Sequence, residues 1–572
     1  MKPQPLRPGE AAAPGEASTG AEAADLRELY RADSLHIRVM IYVSFVLLAL
    51  GGVFGTLQAL DKFQIDLYRF LPGTLQLYYT GLTAHGVVLA LLFTGTFIIG
   101  FLSLALVHGL RRPLIDRGLA WATVAVAVTG ALALLITIFR NQATVMFTFY
   151  APLQAHPGFY AGLVLVALAT WMAALNAWFT WRAWKRDHPH ERTPLMAFAA
   201  LATWAMWFLA SLGLAVALLV YLLPWSLGQS PQVNPLLTRA LFWFTGHPLV
   251  YFWLLPAYLS WYTMLPAQVG GRLFSESLAR LVFLLFVVLA TPTGLHHMYT
   301  DPGVAHSYKL LHGVTTYAVI FPSLVTAFTV VASVEEGARR RGGRGYIMWL
   351  LALPWLSNPS VAGQLLAMLI FATGGITGLI NSSLNMNLIV HNTLWVVGHL
   401  HTQVAGAVTL TFMAISYWLV PLLSGRALWG RKWAVVQVWS WFFGTAIMAR
   451  GMHWMGLASA PRRTFLSSAP YADLFGEWHW AGALTAAGGV ILFLSGGLFL
   501  LIMLRTALGA RRAEELAVPE AQPLQDPGVM PRWLDRIAPW FALGLALSLV
   551  AWLPSLWRMA AEYPQVPGLQ LW

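Results

Sequence analysis

Long apolar stretches, separated by short polar segments, recur along the chain from residue 38 to residue 557. Most are about 20 residues or longer, which is the length an α-helix needs to cross the hydrocarbon core of a bilayer. The pattern therefore predicts an all-α, multi-pass bundle of about thirteen transmembrane helices. The predicted spans, numbered 1 to 13 in chain order, are 38–60, 80–108, 118–139, 158–181, 195–224, 240–266, 278–298, 310–334, 346–380 with a break at Pro354, 389–422, 433–457, 477–504 and 533–557.

Residues 1–30 fall outside this pattern. We predict a disordered cytoplasmic tail there, because the first 25 residues are rich in Ala, Glu, Pro and Gly and contain no apolar core. Residues 31–572 show neither an internal repeat nor a soluble domain, so they are predicted to form a single membrane domain. Its longest polar connector is the segment 509–531.

The basic residues concentrate in the loops that follow even-numbered spans. Cytoplasmic loops of membrane proteins carry an excess of Lys and Arg, so these loops and the amino terminus are predicted to lie on the cytoplasmic side. The loops after spans 2, 4 and 8 carry the clearest clusters, namely Arg111, Arg112 and Arg117; Arg182, Lys185, Arg186 and Arg192; and Arg339, Arg340, Arg341 and Arg344.

Composition agrees with this picture and excludes several classes of function. Hydrophobic residues make up 58% of the chain and charged residues only 10%, whereas about a quarter of a soluble domain is charged. The net charge of +12 is spread over loops, so it indicates membrane topology and not a nucleic-acid partner. Because the chain has no cysteine, disulfides, thiolate zinc sites and cysteine-ligated iron–sulfur clusters are excluded, and imidazole is left as the main ligand for transition metals.

Six histidines fall at a similar depth in the outer half of the predicted bundle. An imidazole in hydrocarbon is unfavourable without a partner, so histidines inside spans indicate a functional site. Structural histidines on four separate helices would have no reason to share one layer, and a metal centre is the partner that explains it. They are His85 on span 2, His247 on span 6, His296 and His297 on span 7, and His399 and His401 on span 10.

Helix geometry divides these histidines into groups. Residues two apart on an α-helix differ by about 200°, so His399 and His401 project from opposite faces and serve different metals. His247 and Tyr251 are one turn apart on one face. Adjacent His296 and His297 differ by about 100°, which allows three imidazoles from spans 6 and 7 to converge beside a phenol. Three nitrogen ligands with an open position suit a reactive copper ion.

These residues resemble those of a known family. The strings Gly246-His247-Pro248-Leu249-Val250-Tyr251, His296-His297 and Gly398-His399-Leu400-His401 occur in this order on spans 6, 7 and 10, with His85 on span 2. The chain is similar over nearly its whole length to subunit I of the heme-copper oxygen reductases. The segments 243–248 and 390–395 resemble the B-type branch, the cytochrome c oxidases with b-type and a-type hemes.

The resemblance implies a role for each of these histidines. It makes His85 and His401 the axial ligands of a low-spin heme, expected to be b-type, and His399 the ligand of a high-spin heme, expected to be a-type. It makes His247, His296 and His297 the ligands of one copper ion. Tyr251 then matches the catalytic tyrosine that is covalently joined to a copper histidine in this family, a bond that the i, i+4 spacing permits.

A stripe of tyrosines suggests a route for protons. His247, Tyr251, Tyr258 and Tyr262 fall within an arc of about 60° on span 6 and extend over about 22 Å toward the cytoplasm. Packing alone is a common reason for such a stripe, but here it starts at Tyr251 and faces hydroxyls on span 8. The resemblance implies the same pathway. The hydroxyl-bearing residues are Ser323, Thr326 and Thr329.

Two departures from the A-type pattern agree with a single proton pathway. Leu249 stands where A-type oxidases have Glu, and span 8 has no membrane-embedded Lys. Asn387 occupies a position where close relatives are expected to have Asp near the heme propionates, so that part of any proton-exit route differs in this chain. Arg462, Arg463 and His391 are the expected contacts of the heme propionates.

The resulting interpretation is the catalytic subunit of a proton-translocating terminal oxidase that reduces dioxygen to water with electrons from cytochrome c. A Cys-free chain lacks the bridging thiolates of a dinuclear copper centre, so a second subunit carrying that centre is the expected partner. Cytochrome c or a small copper protein is the expected donor, and a small single-helix subunit and membrane lipid are further partners. The expected location is a bacterial or archaeal plasma membrane.

Two alternatives stay open at this point. A nitric oxide reductase has a similar scaffold but places non-heme iron opposite the heme and gathers glutamates around it; Tyr251 and the lack of Glu near His247 argue against it. A transporter with a histidine proton relay would explain buried imidazoles, but it would not explain their common depth or the opposite-facing pair on span 10.

Overall fold

The computed structural model of the chain describes residues 20–469, 476–510, 517–525 and 529–572. Long helices dominate the described residues, and we number them α1 to α13 in chain order. They are α1 (Gly20–Asp61), α2 (Tyr78–Leu110), α3 (Arg117–Phe139), α4 (Pro157–Asp187), α5 (Leu195–Ser226), α6 (Pro235–Thr263), α7 (Glu276–Leu289), α8 (His306–Arg340), α9 (Pro359–Ser382), α10 (Leu394–Ser424), α11 (Arg431–Leu457), α12 (Gly476–Leu508) and α13 (Ile537–Glu562).

Shorter elements connect these helices. Two-residue strands β1 (Gln232–Val233) and β2 (Val566–Pro567) pair in antiparallel fashion, which ties the end of the chain to the loop before α6. The short helices are Tyr68–Phe70, Gly73–Gln76, Leu265–Gln268, Thr291–Met298, Met348–Ala352, Leu384–Val390, Leu466–Ser468 and Arg532–Asp535.

The predicted all-α class is confirmed, and each of the thirteen predicted spans overlaps one long helix. Among the described residues, ten helices are long and apolar enough to cross a bilayer, and an eleventh results when α7 and Thr291–Met298 count as one bent span. Helices α6 and α11 are as long as the others, but aromatic and polar residues lower their mean hydropathy. In the predicted tail, residues 1–19 lie outside the described residues and residues 20–30 are helical.

The predicted start of span 9 was wrong. Instead of beginning near residue 346, α9 begins at Pro359, and the preceding segment contains the short helix Met348–Ala352. The reason is a local helix-start signal that hydropathy does not register. The Asn358 side chain accepts hydrogen bonds from the backbone N–H groups of Ser360 and Val361, and Pro359 occupies the first helical position, a sequence that favours a helix start.

Two irregularities of the backbone position the histidines. Span 7 bends by 55° after Leu289 and continues as the 3₁₀-helix Thr291–Met298, which carries His296 and His297. Pro292, with φ −77° and ψ 31°, lies at this bend. In α10 the segment His401–Thr409 is a π-helix that begins at His401, and wide turns of this kind are frequent at functional sites.

Close approach of the helices depends on small residues. An added Cβ at Gly488 on α12 would lie 2.4 Å from the backbone nitrogen of Met448 on α11. At Gly130 on α3 it would lie 2.9 Å from the carbonyl oxygen of Gly162 on α4. Small residues at such contacts allow backbones to approach, which is how membrane helices gain packing energy.

Candidate metal centre

Three histidines from two helical segments converge in the interior. His247 of α6 and His296 and His297 of the 3₁₀-helix each offer one ring nitrogen, and these three nitrogens lie within 4.8 Å of one another. The closest pair, His247 Nδ1 and His297 Nε2, is separated by 3.3 Å. Nitrogens bound to one metal at about 2.0 Å lie up to about 4 Å apart, so a small inward shift of the rings would bring all three imidazoles to the spacing of ligands on a single metal ion.

Neighbouring groups fix the orientation of two of these rings. The Nδ1 of His296 contacts the carbonyl of Thr293 and lies 2.9 Å from Thr316 Oγ1. A ring nitrogen that meets a carbonyl carries the hydrogen, so His296 presents Nε2 to the cluster. His297 stacks on the indole of Trp243, with ring centroids 3.8 Å apart and an angle of 7° between the planes.

The phenol of Tyr251 lies next to the cluster. Its Oη is 2.9 Å from Nε2 of His247, while Nδ1 of the same imidazole faces His297. His247 therefore connects the phenol on one side with the candidate metal position on the other. Both residues lie on α6 one turn apart, as the spacing in the sequence predicts.

A second arrangement is formed by His85 of α2 and His401 of α10. Their rings are parallel within 7°, but their centroids are 5.9 Å apart, which is too far for direct stacking. The Nδ1 atoms lie 3.0 Å from the Gly51 carbonyl and 2.9 Å from the Val397 carbonyl, so each ring presents Nε2 to the gap. Two metal–nitrogen bonds of about 2.0 Å fit this separation.

His399 stands apart from both groups on the opposite face of α10 from His401. Its Nδ1 lies 2.9 Å from Thr377 Oγ1 and 3.1 Å from the Gly374 carbonyl, which leaves Nε2 free as a ligand. An added Cβ at Gly378 would lie 3.0 Å from the His399 ring. Gly378 thus keeps space beside this imidazole, just as Gly55 does beside His85, where an added Cβ would lie 2.6 Å from the ring.

All six histidines line one continuous cavity of about 980 Å³. Ligand sites are commonly between about 300 and 1,000 Å³, so this space lies at the upper end and suits large planar groups. The walls are mostly apolar, and among the described residues they include no Asp or Glu. A parallel imidazole pair, a separate single imidazole and a three-imidazole cluster on one cavity fit two hemes and one copper ion.

The predicted proton-pathway residues form two hydrogen-bonded pairs between α6 and α8. Tyr258 Oη donates to Ser323 Oγ at 3.1 Å, and Tyr262 Oη donates to Thr326 Oγ1 at 2.9 Å. Thr329 is fully buried one turn further along α8. Tyr251, Tyr258, Ser323 and Thr326 also line the cavity, so the hydroxyls lead from it toward the predicted cytoplasmic side.

Two arginines reach the cavity from the loop after α11. Arg462 donates from Nη2 to Asn392 Oδ1 at 2.6 Å, and Arg463 donates to Thr148 Oγ1 at 3.2 Å. Neither guanidinium forms an ion pair within the part of the chain that the structure describes. Burial, and then the neighbouring Arg462, lowers the pKa of Arg463 to about 10. Two half-buried cations without carboxylate partners are complementary to anionic groups such as heme propionates.

His391 and Asn387 lie beside this arginine pair. Asn387 Nδ2 donates to the Asn381 carbonyl at 2.7 Å, so its Oδ1 accepts from His391 Nδ1 at 3.0 Å. Burial, and then the charge of Arg462, lowers the pKa of His391 to about 4. His391 is therefore neutral at pH 7 and carries its hydrogen on Nδ1.

Several residues around the site were missed by the sequence analysis. Thr316 and Thr377 contact the imidazoles of His296 and His399, and Lys62 lines the cavity. The sequence did contain a signal for Thr316: it lies seven residues before Ser323, and so on the same face of α8 as the predicted proton-pathway hydroxyls. Lys62 gave no such signal, because in the sequence it lies just after the predicted end of span 1, in a loop.

Comparisons with known proteins agree with this geometry. Residues 36–491 match the model of the family described as cytochrome C and Quinol oxidase polypeptide I. The chain is 41% identical over 543 residues to cytochrome c oxidase subunit 1 of Thermus thermophilus, covering 93% of this chain and 96% of that protein. It is 26% identical to heme-copper oxidase subunit I+III of Aeropyrum pernix, covering 80% of this chain and 55% of that protein.

A solved structure supports the same relationship. The chain is similar to a heme-copper terminal oxidase dimer determined by cryo-EM, with a TM-score of 0.88 and 33% identity. The alignment covers 94% of this chain and 95% of that one. The likeness therefore extends over nearly the whole length of both chains.

Proposed function

Because the chain belongs to the cytochrome c and quinol oxidase polypeptide I family, we propose that it is the catalytic subunit of a B-type terminal oxidase. It reduces dioxygen to water with electrons from cytochrome c and couples this reaction to proton translocation. The observation that carries the proposal is the three-histidine cluster with Tyr251 beside it, in one cavity with the parallel imidazole pair.

Hemes and copper are the cofactors of this family, and the donor set of this chain fits them. When bound, they supply the redox centres that carry electrons and reduce dioxygen. We propose a b-type low-spin heme and an a-type high-spin heme. The proposed ligands are His85 and His401 for the low-spin heme, His399 for the high-spin heme, and His247, His296 and His297 for copper.

The protein's own groups hold these ligands in place and supply protons. The carbonyls of Gly51, Val397 and Gly374 accept from Nδ1 of three imidazoles, which directs each Nε2 into the cavity. Tyr251 is proposed to release the proton of its Oη at the cluster, and a covalent bond between Tyr251 and His247 is part of the proposal. The apolar walls limit the access of water.

Protons for water formation must come from the cytoplasmic side. The hydroxyl pairs of Tyr262 with Thr326 and of Tyr258 with Ser323 are proposed to relay them toward Tyr251, with Thr329 at the entrance. Leu249 occupies the position next to the cluster where an acidic residue would end a second channel. A single hydroxyl pathway is therefore proposed.

The arginine pair and its neighbours are proposed to bind the propionates. Arg462, Arg463 and His391 all line the cavity at one end, and the two guanidiniums lack carboxylate partners among the described residues. Asn387 lies beside them and cannot exchange a proton at pH 7. Proton exit in this chain therefore bypasses this side chain.

Members of this family work with a second subunit and with cytochrome c, and the chain is a multi-pass membrane protein. We propose that the second subunit carries a dinuclear copper centre, that a small copper protein serves as an alternative donor, and that a single-helix subunit and lipid complete the complex. The proposed location is the plasma membrane of a bacterium or archaeon, with the amino terminus and residues 1–30 in the cytoplasm.

The cavity walls also separate this function from its rivals. A nitric oxide reductase gathers glutamates around its non-heme iron, whereas the described lining of this cavity holds no carboxylate. A histidine-relay transporter needs no parallel imidazole pair with a gap between the rings. Oxygen consumption and acidification by the purified complex in vesicles, with reduced cytochrome c, test the proposal. Turnover of nitric oxide without oxygen consumption would overturn it.

A further inference from the structure

A buried charge pair lies at the outer end of α1, beside the cavity. Lys62 is 7% exposed and Asp61 is fully buried, and Lys62 Nζ donates to Asp61 Oδ2 at 2.8 Å. Lys62 lines the cavity, whereas Asp61 does not. Burying an ion pair costs free energy unless its geometry is good and its remaining polar atoms are hydrogen-bonded. The other partners of this pair therefore indicate what it stabilises.

The pair holds the loop that carries the two arginines. We call residues 462–467, which include Arg462 and Arg463, the arginine turn. Lys62 Nζ donates to the Thr464 carbonyl at 2.7 Å, and Asp61 accepts from the backbone N–H groups of Leu466 at 3.1 Å and Ser467 at 2.9 Å. Both charges of the pair thus hold the arginine turn against the end of α1.

The same pair is connected to the helix that carries His85. Tyr78, near the start of α2, accepts from Lys62 Nζ at 3.0 Å and donates to the Thr464 carbonyl at 3.0 Å. Its ring also stacks on Phe465 at 4.6 Å. Helices α1 and α2 and the arginine turn therefore meet at one buried ammonium group.

Helix geometry gives the separation, along the helices, between the backbones of this group and the level of the imidazole pair. Lys62 is seven residues after Gly55, where an added Cβ would lie 2.6 Å from the His85 ring, and Tyr78 is seven residues before His85. Seven residues correspond to about 10 Å along a helix. A unit charge at about 10 Å, with an effective dielectric constant of about 20, changes a one-electron equilibrium by about tenfold.

We propose that the charges of Lys62 and Asp61 set the redox potential of the low-spin heme: Lys62 faces its pocket with a positive charge, and Asp61 places a negative charge directly behind it. This inference rests on the proposed function. The two residues are positioning residues with opposite charges. A cation near the pocket favours the reduced heme, so the two charges shift the potential in opposite directions.

The test is a spectroelectrochemical titration of the low-spin heme in the purified complex. Lys62→Met should lower the equilibrium constant for reduction of the low-spin heme by about tenfold. For a one-electron couple this corresponds to a decrease of about 59 mV in the redox potential. Asp61→Asn should raise it by a similar amount. Each variant by itself tests the direction of the shift in potential. An unchanged potential in both variants, or a shift in the same direction in both, would overturn the inference.

Controls separate charge from packing. Lys62→Arg keeps the cation and should retain a potential close to that of the wild type. Lys309→Met removes another buried lysine, whose Nζ donates to the Tyr299 carbonyl at 2.6 Å, and it should leave the low-spin heme unchanged. A wild-type complex without low-spin heme would contradict the proposed function, whereas a heme that is present and insensitive to both charge changes would contradict only this inference.

Discussion

Replacing Tyr251 with Phe removes one oxygen atom beside the candidate copper site, and with the phenol it removes the proposed covalent bond to His247. The lost interaction is the hydrogen bond of 2.9 Å to His247 Nε2, which contributes about 1 kcal/mol to stability. His247 remains packed against His296, with ring centroids 4.4 Å apart. We therefore expect the variant to fold and to retain both hemes and copper.

Its activity should fall far more than its stability. A positioned group that transfers a proton contributes typically about 10²- to 10⁴-fold to the rate, so oxygen consumption should drop by at least about 100-fold. The assay is an oxygen electrode with reduced donor, together with heme and copper content of the same sample. Tyr417→Phe is the matched control, because Tyr417 is buried and its Oη donates to Gln437, away from the cavity.

Turnover of Tyr251→Phe within about twofold of the wild type, with all metals bound, would show that the phenol is not the proton donor at the cluster. An equal loss in Tyr417→Phe would indicate that general destabilisation, and not the phenol, explains the effect.

Three further variants test separate parts of the molecule. His401→Ala should remove the low-spin heme signal from the absorption spectrum and spare the high-spin signal; the reverse loss would invert the ligand assignment. Tyr262→Phe breaks the hydrogen bond to Thr326 and should slow proton uptake measured with a pH dye, so an unchanged rate would remove this residue from the pathway. Arg280→Ala leaves Glu276 and Asp535, its partners at 2.6 and 2.9 Å, without their buried cation. It should destabilise the fold by about 3–5 kcal/mol, and an unchanged melting temperature would contradict this.

Much of the fold could be predicted from hydropathy, because most of the long helices are apolar enough to cross a bilayer and a helix in a bilayer must satisfy its own backbone. The start of α9 could not, since it depends on the Asn358 cap and not on hydrophobicity. The bend after Leu289 also escaped prediction. It places His296 and His297 on a 3₁₀-helix, where successive side chains differ by about 120° and not by the 100° of an α-helix.

Those parts of the candidate site that depend on the spacing of residues along one helix could be predicted from the sequence. The opposite faces of His399 and His401, and the shared face of His247 and Tyr251, follow from spacing alone. The groups that orient the imidazoles were not predictable in this way, because Thr316 and Thr377 reach them from other helices. Lys62 resembled a topological charge in the sequence, and only the tertiary contacts with Tyr78 and Thr464 show that it is buried.

Six histidines of this chain are proposed to hold two hemes and one copper ion around a single cavity. A reduced-minus-oxidised spectrum with metal analysis of the purified complex, compared with His247→Ala, tests this proposal most directly. We expect one low-spin and one high-spin heme in both samples, and one copper ion fewer per complex in the variant. A complex with a single heme, or a variant with unchanged copper content, would contradict it.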